Sequence, residues 1–221
     1  KYYIIILFVF FVILLSLIIL QPDLGMTILI ATTFFCQFFV AGLPLFLVFV
    51  ALGFLITMTI SSYYLFDHVK KRISSFLDSG ADTYQIDLSI KAFQSGGILG
   101  KGPGQGILKE RIPDANTDFI FAVAGEELGF VFCLIIILII LSIIIRTLIY
   151  VLKIQDPYKM IAISGLICSF GLQSLINIFS SIGLIPTKGM TLPFVSYGGS
   201  SMISISILFG FLLSLTNKNN A

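Results

Sequence analysis

The sequence predicts an all-α fold: a polytopic membrane helix bundle of about six transmembrane helices, with one large loop between the third and the fourth. Three observations carry this. Apolar residues fill 57% of the 221 positions and charged residues only 11%, about half of what a soluble domain carries. Six apolar runs are long enough to cross about 30 Å of hydrocarbon. The runs are near-continuous rather than alternating, which excludes barrel strands and leaves helices to satisfy every backbone polar group in lipid.

The runs are residues 2–20, 24–41, 43–66, 119–145, 160–185 and 192–215. Gln21-Pro22-Asp23-Leu24-Gly25 and Gly42-Leu43-Pro44 read as tight turns. Residues 146–159, with Arg146, Lys153 and Lys159, read as a short loop. Pro186 to Gly189 opens the last connection and Pro193 closes it. This divides the chain into three helices over 1–66, a loop over 67–118, and three helices with a short tail over 119–221. Lys1 leads straight into the first span without a small-residue cleavage site, so the start reads as mid-protein rather than a signal peptide.

The large loop, from Phe66 to Thr117, holds seven of the thirteen basic residues: Lys70, Lys71, Arg72, Lys91, Lys101, Lys109 and Arg111. Within it, residues 82–94 place Ile86, Ile90 and Phe93 on one helical face, while Tyr84, Ile86, Leu88 and Ile90 also alternate as in a strand. A short helix lying at the membrane surface is expected. The following "SGGILGKGPGQG" is not a nucleotide P-loop, because Gly102 stands where Ser or Thr is needed. It is either a flexible loop or a backbone-amide cradle for phosphate, with Lys101 adding charge. Cys36, Cys133 and Cys168 lie in apolar runs without metal or disulfide spacing and read as packing residues. His68 is the sole histidine and reads as a loop residue, so no metal site is expected.

Polar residues in the apolar runs need partners or water. Asp118 borders the fourth run, where its penalty is small. Glu126 and Glu127 lie about 12–13 Å deeper at 1.5 Å per residue, where a lone charge costs about 2.5–3.5 kcal/mol. An interhelical ion pair or hydrogen bond is expected for both. Gly125 and Gly129 read as a small-residue pair for close helix packing. Ser169, Gln173, Asn177 and Ser181 recur every four residues, a stripe that faces inward as helix-helix glue or cavity lining. In "PFVSYGGSS", Tyr197 suits an interface belt, and Gly198 and Gly199 loosen the start of the last helix.

Four stretches, "LQPDLGMTILI", "SGGILGKGPGQG", "IPDANTDFIFAVAGEELG" and "LPFVSYGGSS", resemble, in order, the signature blocks of the SEDS family, the FtsW/RodA/SpoVE cell-wall polymerases. The stretch from Arg72 to Gly106 looks more like the division members (FtsW) than the elongation members (RodA). Family members carry more helices, so the chain matches their carboxy-terminal part. Asn116 stands where the family usually has histidine, and Asp114 where it has glutamate.

The resemblance implies a peptidoglycan glycosyltransferase, inverting at the sugar, that polymerises lipid II, a disaccharide-pentapeptide on undecaprenyl pyrophosphate. It implies a multi-pass protein of the bacterial inner (plasma) membrane whose large loop is extracytoplasmic, although a count of Lys and Arg alone puts that loop inside. Asp118 matches the family's essential aspartate and is the expected base. Pyrophosphate leaves as a stable anion, so one carboxylate suffices where a glycosidase needs two. Expected substrate contacts are Lys101, Lys109 and Arg111 toward pyrophosphate, with Gly100, Gly102, Thr117 and Ser196 from the matched blocks. Glu126, Gln173 and Asn177 line or brace the cavity beneath. A divalent cation, Mg or Mn, could help neutralise the leaving group, although no dedicated ligand set is visible. A class B penicillin-binding protein and other divisome proteins are the expected partners, and nucleic acid is not. The alternatives are a lipid II flippase, or an inactive or split carboxy-terminal fragment that docks a partner.

Overall fold

A computed structural model describes residues 2–21, 23–42, 84–187 and 189–217, with single positions at 53, 57, 61, 64 and 70. The expected third span, His68, Lys71, Arg72, Lys188 and both termini otherwise lie outside these residues. Among the described residues there are six α-helices, one 3-10 turn and no strand. They are α1 (Tyr2–Leu20), α2 (Leu24–Val40), α3 (Tyr84–Gly96), the turn Leu108–Glu110, α4 (Ile120–Val151), α5 (Pro157–Ser181) and α6 (Gly199–Thr216). Three of them, α4, α5 and α6, are long and apolar enough to cross a membrane by length and composition. With the all-helical architecture, they make the chain an integral membrane helix bundle.

Local chemistry sets the ends. Asp23 caps α2 by accepting from Met26 N at 3.0 Å. The 146–159 loop is shorter than expected. Helix α4 continues past Arg146 to Val151, and α5 starts at Pro157, with Asp156 capping Tyr158 N at 2.9 Å. Arg146 is exposed, so its long stem lets the helix continue while the guanidinium stays outside the bundle. The last helix starts later than the apolar run suggests. Residues 192–198 are turn and loop, and Phe194 has φ of 62°, a backbone that an aromatic residue seldom adopts. The apolar Pro193-Phe194-Val195 reads as helix only while the hydrogen bonds of Ser196, described below, are unknown.

Helix α3 forms where expected and buries Ile86, Leu88, Ser89, Ala92 and Gly96. The buried face differs from the expected one, since Ile90 is exposed. The helix docks on the bundle: Leu88 and Ala92 pack with Ile112, Ala115, Phe119, Ala122 and Val123, and Ser89 Oγ donates to Ser181 O. Elsewhere α4 and α5 share a core of Phe121, Cys133, Ile136, Ile140, Ile167 and Phe170. Phe11 of α1 stacks on Phe34 of α2, and Gly165 of α5 lets the Gln37 side chain of α2 approach closely.

The decisive irregularity is in α4. Gly129 breaks the helix with φ of 81° and ψ of 179°. A break at this depth leaves backbone groups without helical partners, a costly state in lipid. The glycine-rich segment supplies them. Lys101 N donates to Glu126 O at 3.0 Å and Gly102 N to Glu127 O at 2.9 Å. Phe130 N and Val131 N donate to Gly97 O and Ile98 O at 3.0 and 3.3 Å. The approach is so close that a side chain on Gly100 would strike Glu127 O, and one on Gly129 would strike Gly100 N. Gly125 is the packing glycine of the expected pair, set against the Phe93 ring. Gly129 is there for its backbone conformation.

The same segment answers the question of the two glutamates. Glu126 is 0% exposed. Its carboxylate accepts from Lys101 Nζ at 3.0 Å, Ile107 N at 3.1 Å and Leu108 N at 3.1 and 3.2 Å. Glu127 accepts from Lys109 Nζ at 2.6 Å and Gly104 N at 2.9 Å. Both glutamates are therefore ion-paired, but with the loop that precedes the helix rather than with another membrane helix as expected. The expected phosphate cradle needs correction. Amides do converge on anions there, but the anions are the chain's own carboxylates. Gly100, Gly102, Lys101 and Lys109 have partners on α4, and Glu126 braces this loop rather than a cavity below Asp118. Arg111 is exposed and takes no part in the two ion pairs found among the described residues.

Two outcomes follow from this packing. Gly129→Ala, forced into a left-handed backbone against Gly100, destabilises the protein by about 1–3 kcal/mol, read as a lower denaturation midpoint in detergent. Glu126→Ala strips the acceptor from Lys101 and two loop amides and costs about 3–5 kcal/mol, whereas Glu127→Ala, at a partly exposed pair, costs about 1 kcal/mol or less. Limited proteolysis reports the same order, with cleavage between residues 97 and 111 accelerating most in the Glu126 variant.

Candidate functional site

Asp118 ends a compact turn that leads into α4. Asp114, at φ of 55°, turns its carbonyl toward the chain that follows. That one oxygen accepts from Thr117 N at 3.1 Å, Asp118 N at 3.0 Å and Thr117 Oγ1 at 3.1 Å. Asp and Asn tolerate this left-handed backbone better than most residues.

Three successive carbonyls of the turn are then held from the other side of the bundle. Asn116 O accepts from Tyr197 N at 2.9 Å. Thr117 O accepts from Ser196 Oγ at 2.6 Å, and Asp118 O from Asn177 Nδ2 at 2.9 Å. The two side-chain donors each make a second connection. Ser196 Oγ accepts from Leu192 N at 2.7 Å, and Asn177 Nδ2 also donates to Met190 O at 2.6 Å. Gln173, one turn below Asn177 on α5, donates to Thr191 O at 3.1 Å, and Thr191 Oγ1 lies 2.6 Å from Ser201 Oγ. The polar stripe of α5 thus faces inward as expected, and its work is to fasten the 190–198 segment to the head of α4.

The carboxylate of Asp118 is half-buried beside the backbone of Gly189: a Cβ on that glycine would lie 3.5 Å from Oδ2. Burial pushes its pKa above the usual carboxylate range, the nearby Asp114 charge adds to this, and a hydrogen bond from the Thr117 side chain partly opposes it. Asp118 is in neither of the two ion pairs. On the far side of the same turn opens a cavity of about 490 Å³, lined by Asn116, Ile120, Phe194, Val195, Ser196, Tyr197, Gly198, Gly199 and Met202. It joins an apolar wall to a few polar groups at the heads of α4 and α6.

Of the residues expected to act together, Asp118, Thr117, Ser196, Asn177 and Gln173 form one connected network. Gly100, Gly102, Lys101, Lys109 and Glu126 form the separate loop cluster. Asn116, Gly189, Met190, Thr191 and Tyr197 join the site through backbone atoms, which side-chain patterning does not report. Among the described residues no three His, Cys, Asp or Glu side chains converge as for a metal ion.

The model of the FtsW/RodA/SpoVE family, described as cell cycle protein, matches residues 1–221. The chain is 42% identical over 212 residues to the probable peptidoglycan glycosyltransferase FtsW of Caulobacter vibrioides, covering 96% of this chain and 54% of that protein. Against the protein of the same name in Geobacter metallireducens it is 35% identical over 215 residues, covering 93% and 56%. It thus spans about half the length of the curated relatives it matches. A solved chain from a peptidoglycan synthase complex that coordinates polymerization and crosslinking aligns with a TM-score of 0.73 at 26% identity, covering 92% of this chain and 58% of that one. With the matched blocks spread along the whole sequence and the same helical architecture, the chain belongs to the FtsW/RodA/SpoVE family of cell cycle proteins.

Proposed function

We propose that the chain acts in peptidoglycan glycosyl transfer, polymerising lipid II during cell division, with Asp118 as the base. The observation that carries this is the placement of Asp118: a half-buried carboxylate, outside the two ion pairs found among the described residues, at the head of a membrane helix, on a turn fixed by three carbonyl anchors. The probable peptidoglycan glycosyltransferases among its relatives supply the reaction class.

The acceptor sugar's hydroxyl gives its proton to the Asp118 carboxylate as its oxygen attacks the donor's anomeric carbon. The bond to pyrophosphate breaks with inversion, and the leaving group departs as an anion without protonation. Partial burial makes Asp118 a stronger base than a solvated carboxylate. Arg111, outside the two ion pairs found among the described residues, is a loop cation available to the growing charge on pyrophosphate, whereas Lys101 and Lys109 hold the glutamates. A substrate with a greasy tail and a wet head suits a site at a helix head beside a cavity that is apolar on one wall and polar on the other. A divalent cation, Mg or Mn, would help neutralise the leaving pyrophosphate; among the described residues no three His, Cys, Asp or Glu side chains converge to hold one. The reading places the protein in the bacterial inner membrane with Asp118 outside the cytoplasm. It takes a class B penicillin-binding protein as the crosslinking partner, in line with the complex that contains its structural relative.

Polymerisation of lipid II by the protein in vesicles tests this directly. Asp118→Asn and Asp118→Ala lower the rate by about 10²–10⁴-fold. An Asn variant at wild-type rate ends the base assignment, and absence of product from the wild type ends the enzymatic reading. The rate falls with acid as Asp118 takes up a proton, at a pH above the ordinary aspartate value of about 3.9, because burial raises its pKa. Asn177→Ala frees the Asp118 carbonyl and lowers kcat by about 10- to 100-fold while the acid limb stays in place.

A further inference from the structure

We propose that Phe194 is a specificity-determining residue whose ring receives the polyprenyl chain of the pyrophosphate-linked substrate, in the cavity at the heads of α4 and α6. The inference rests on the reading of that site given above.

It starts from a local rule that the sequence breaks. Val195 N donates to Leu192 O at 3.2 Å, closing a four-residue turn with Pro193 second and Phe194 third. Proline suits the second position, but a third residue at positive φ is ordinarily Gly or Asn. Phe194 sits there at φ of 62°, where its Cβ crowds the backbone. A bulky residue is kept in such a conformation when its side chain is needed where the turn points it.

Packing does not supply that need. The turn is anchored without the ring: Leu192 and Pro193 are buried, Leu192 N donates to Ser196 Oγ at 2.7 Å, and Ser196 N donates to Leu192 O at 3.0 Å. Phe209 of α6 is already seated on Phe170, with ring centroids 5.0 Å apart and Phe170 only 1% exposed. Phe194 adds an outermost ring to this row, 4.9 Å from Phe209. It stays 46% exposed and lines the cavity of about 490 Å³.

The lining selects the occupant. Ile120, Phe194, Val195 and Met202 give the cavity its apolar side chains. Its polar side chains are few and partly spent. Ser196 Oγ already donates to Thr117 O and accepts from Leu192 N, which leaves, among the described residues, the Asn116 amide and the Tyr197 hydroxyl. A saccharide, polar at nearly every carbon, would leave most of its groups unpaired against these walls. A polyprenyl chain, with flat unsaturated units and branching methyls, suits an aromatic ring and a polarisable thioether. The cavity lies at the heads of two helices long and apolar enough to cross a membrane, where a lipid-borne chain can enter it. Asn116, two residues before Asp118 on the same turn, forms one edge, so a chain held here is tethered beside the proposed base.

Photocrosslinking tests the contact. Phe194→p-benzoylphenylalanine is irradiated in phosphatidylglycerol vesicles containing radiolabelled undecaprenyl pyrophosphate, with Phe132→p-benzoylphenylalanine on the exposed flank of α4 as the reference. Preferential capture of the polyprenyl lipid at position 194 is expected. Equal capture at both positions, or capture of phosphatidylglycerol alone, makes Phe194 part of a general lipid-facing surface and overturns the proposal. In a second measurement, Phe194→Gly, which removes the ring and relieves the turn, weakens binding of undecaprenyl pyrophosphate by about 3- to 10-fold, and Phe194→Tyr restores it. Unchanged binding in the glycine variant, or no rescue by tyrosine, overturns the proposal as well. The photoreactive variant keeps an aromatic ring, so it reads contact whether or not Phe194→Gly folds. Neither measurement needs glycosyl transfer. Capture at Phe194 by a protein that makes no glycan removes the role of Asp118 and leaves this one, and glycan synthesis without capture does the reverse.

Discussion

Everything above the middle of α4 depends on one buried charge. Glu126 has no access to solvent, and its carboxylate is held by an ammonium group and two loop amides. Removing a carboxylate from water costs several kcal/mol unless its lone pairs are filled, so the loop is required at that place. Once the loop is there, the helix break at Gly129 is tolerated, because the same segment pairs with the carbonyls and amides that the break sets free. Helix α3 leads into the loop, and the turn carrying Asp118 leads out of it. Both are packed on the head of α4 as a consequence.

Charge counting therefore overstates the free positive charge of the large loop. Its lysines look like surplus positive charge, which on composition belongs in the cytoplasm. Two of them are neutralised internally, Lys101 by Glu126 and Lys109 by Glu127. A rule about the membrane potential and anionic lipids applies to charges that those fields can reach. Here the relevant partner is the seventh or eighth residue of the next helix, outside any loop-by-loop count.

Hydrophobic continuity made the helices α1, α2, α4 and α5 legible in the sequence, and the four-residue spacing of Gln173 and Asn177 made the inward face of α5 legible. The need of Glu126 and Glu127 for partners was legible from burial cost alone, although the identity of those partners was not. Three things stayed hidden for a shared reason. The break at Gly129, the non-helical stretch from 192 to 198 and the carbonyl anchors of Asn116, Thr117 and Asp118 are all backbone events. Side-chain pattern reports which face is apolar. It does not report where a carbonyl finds a donor from a distant segment, and a glycine in an apolar run looks the same whether it serves packing, as Gly125 does, or a reversed φ, as Gly129 does.

The three carboxylates at the start of α4 divide by what surrounds them. Glu126 and Glu127 are given amide and ammonium donors, which lowers their energy as anions and makes them poor acceptors for anything further. Asp118 is held just as firmly, but through its backbone: its carbonyl is pinned by Asn177 while its carboxylate stays out of the two ion pairs found among the described residues. A group that must take a proton from a substrate needs a fixed position and an unsaturated lone pair together. Anchoring the main chain rather than the side chain is how a short turn meets both demands. The two glutamates serve the same end from a distance, since the loop they hold down runs directly into that turn.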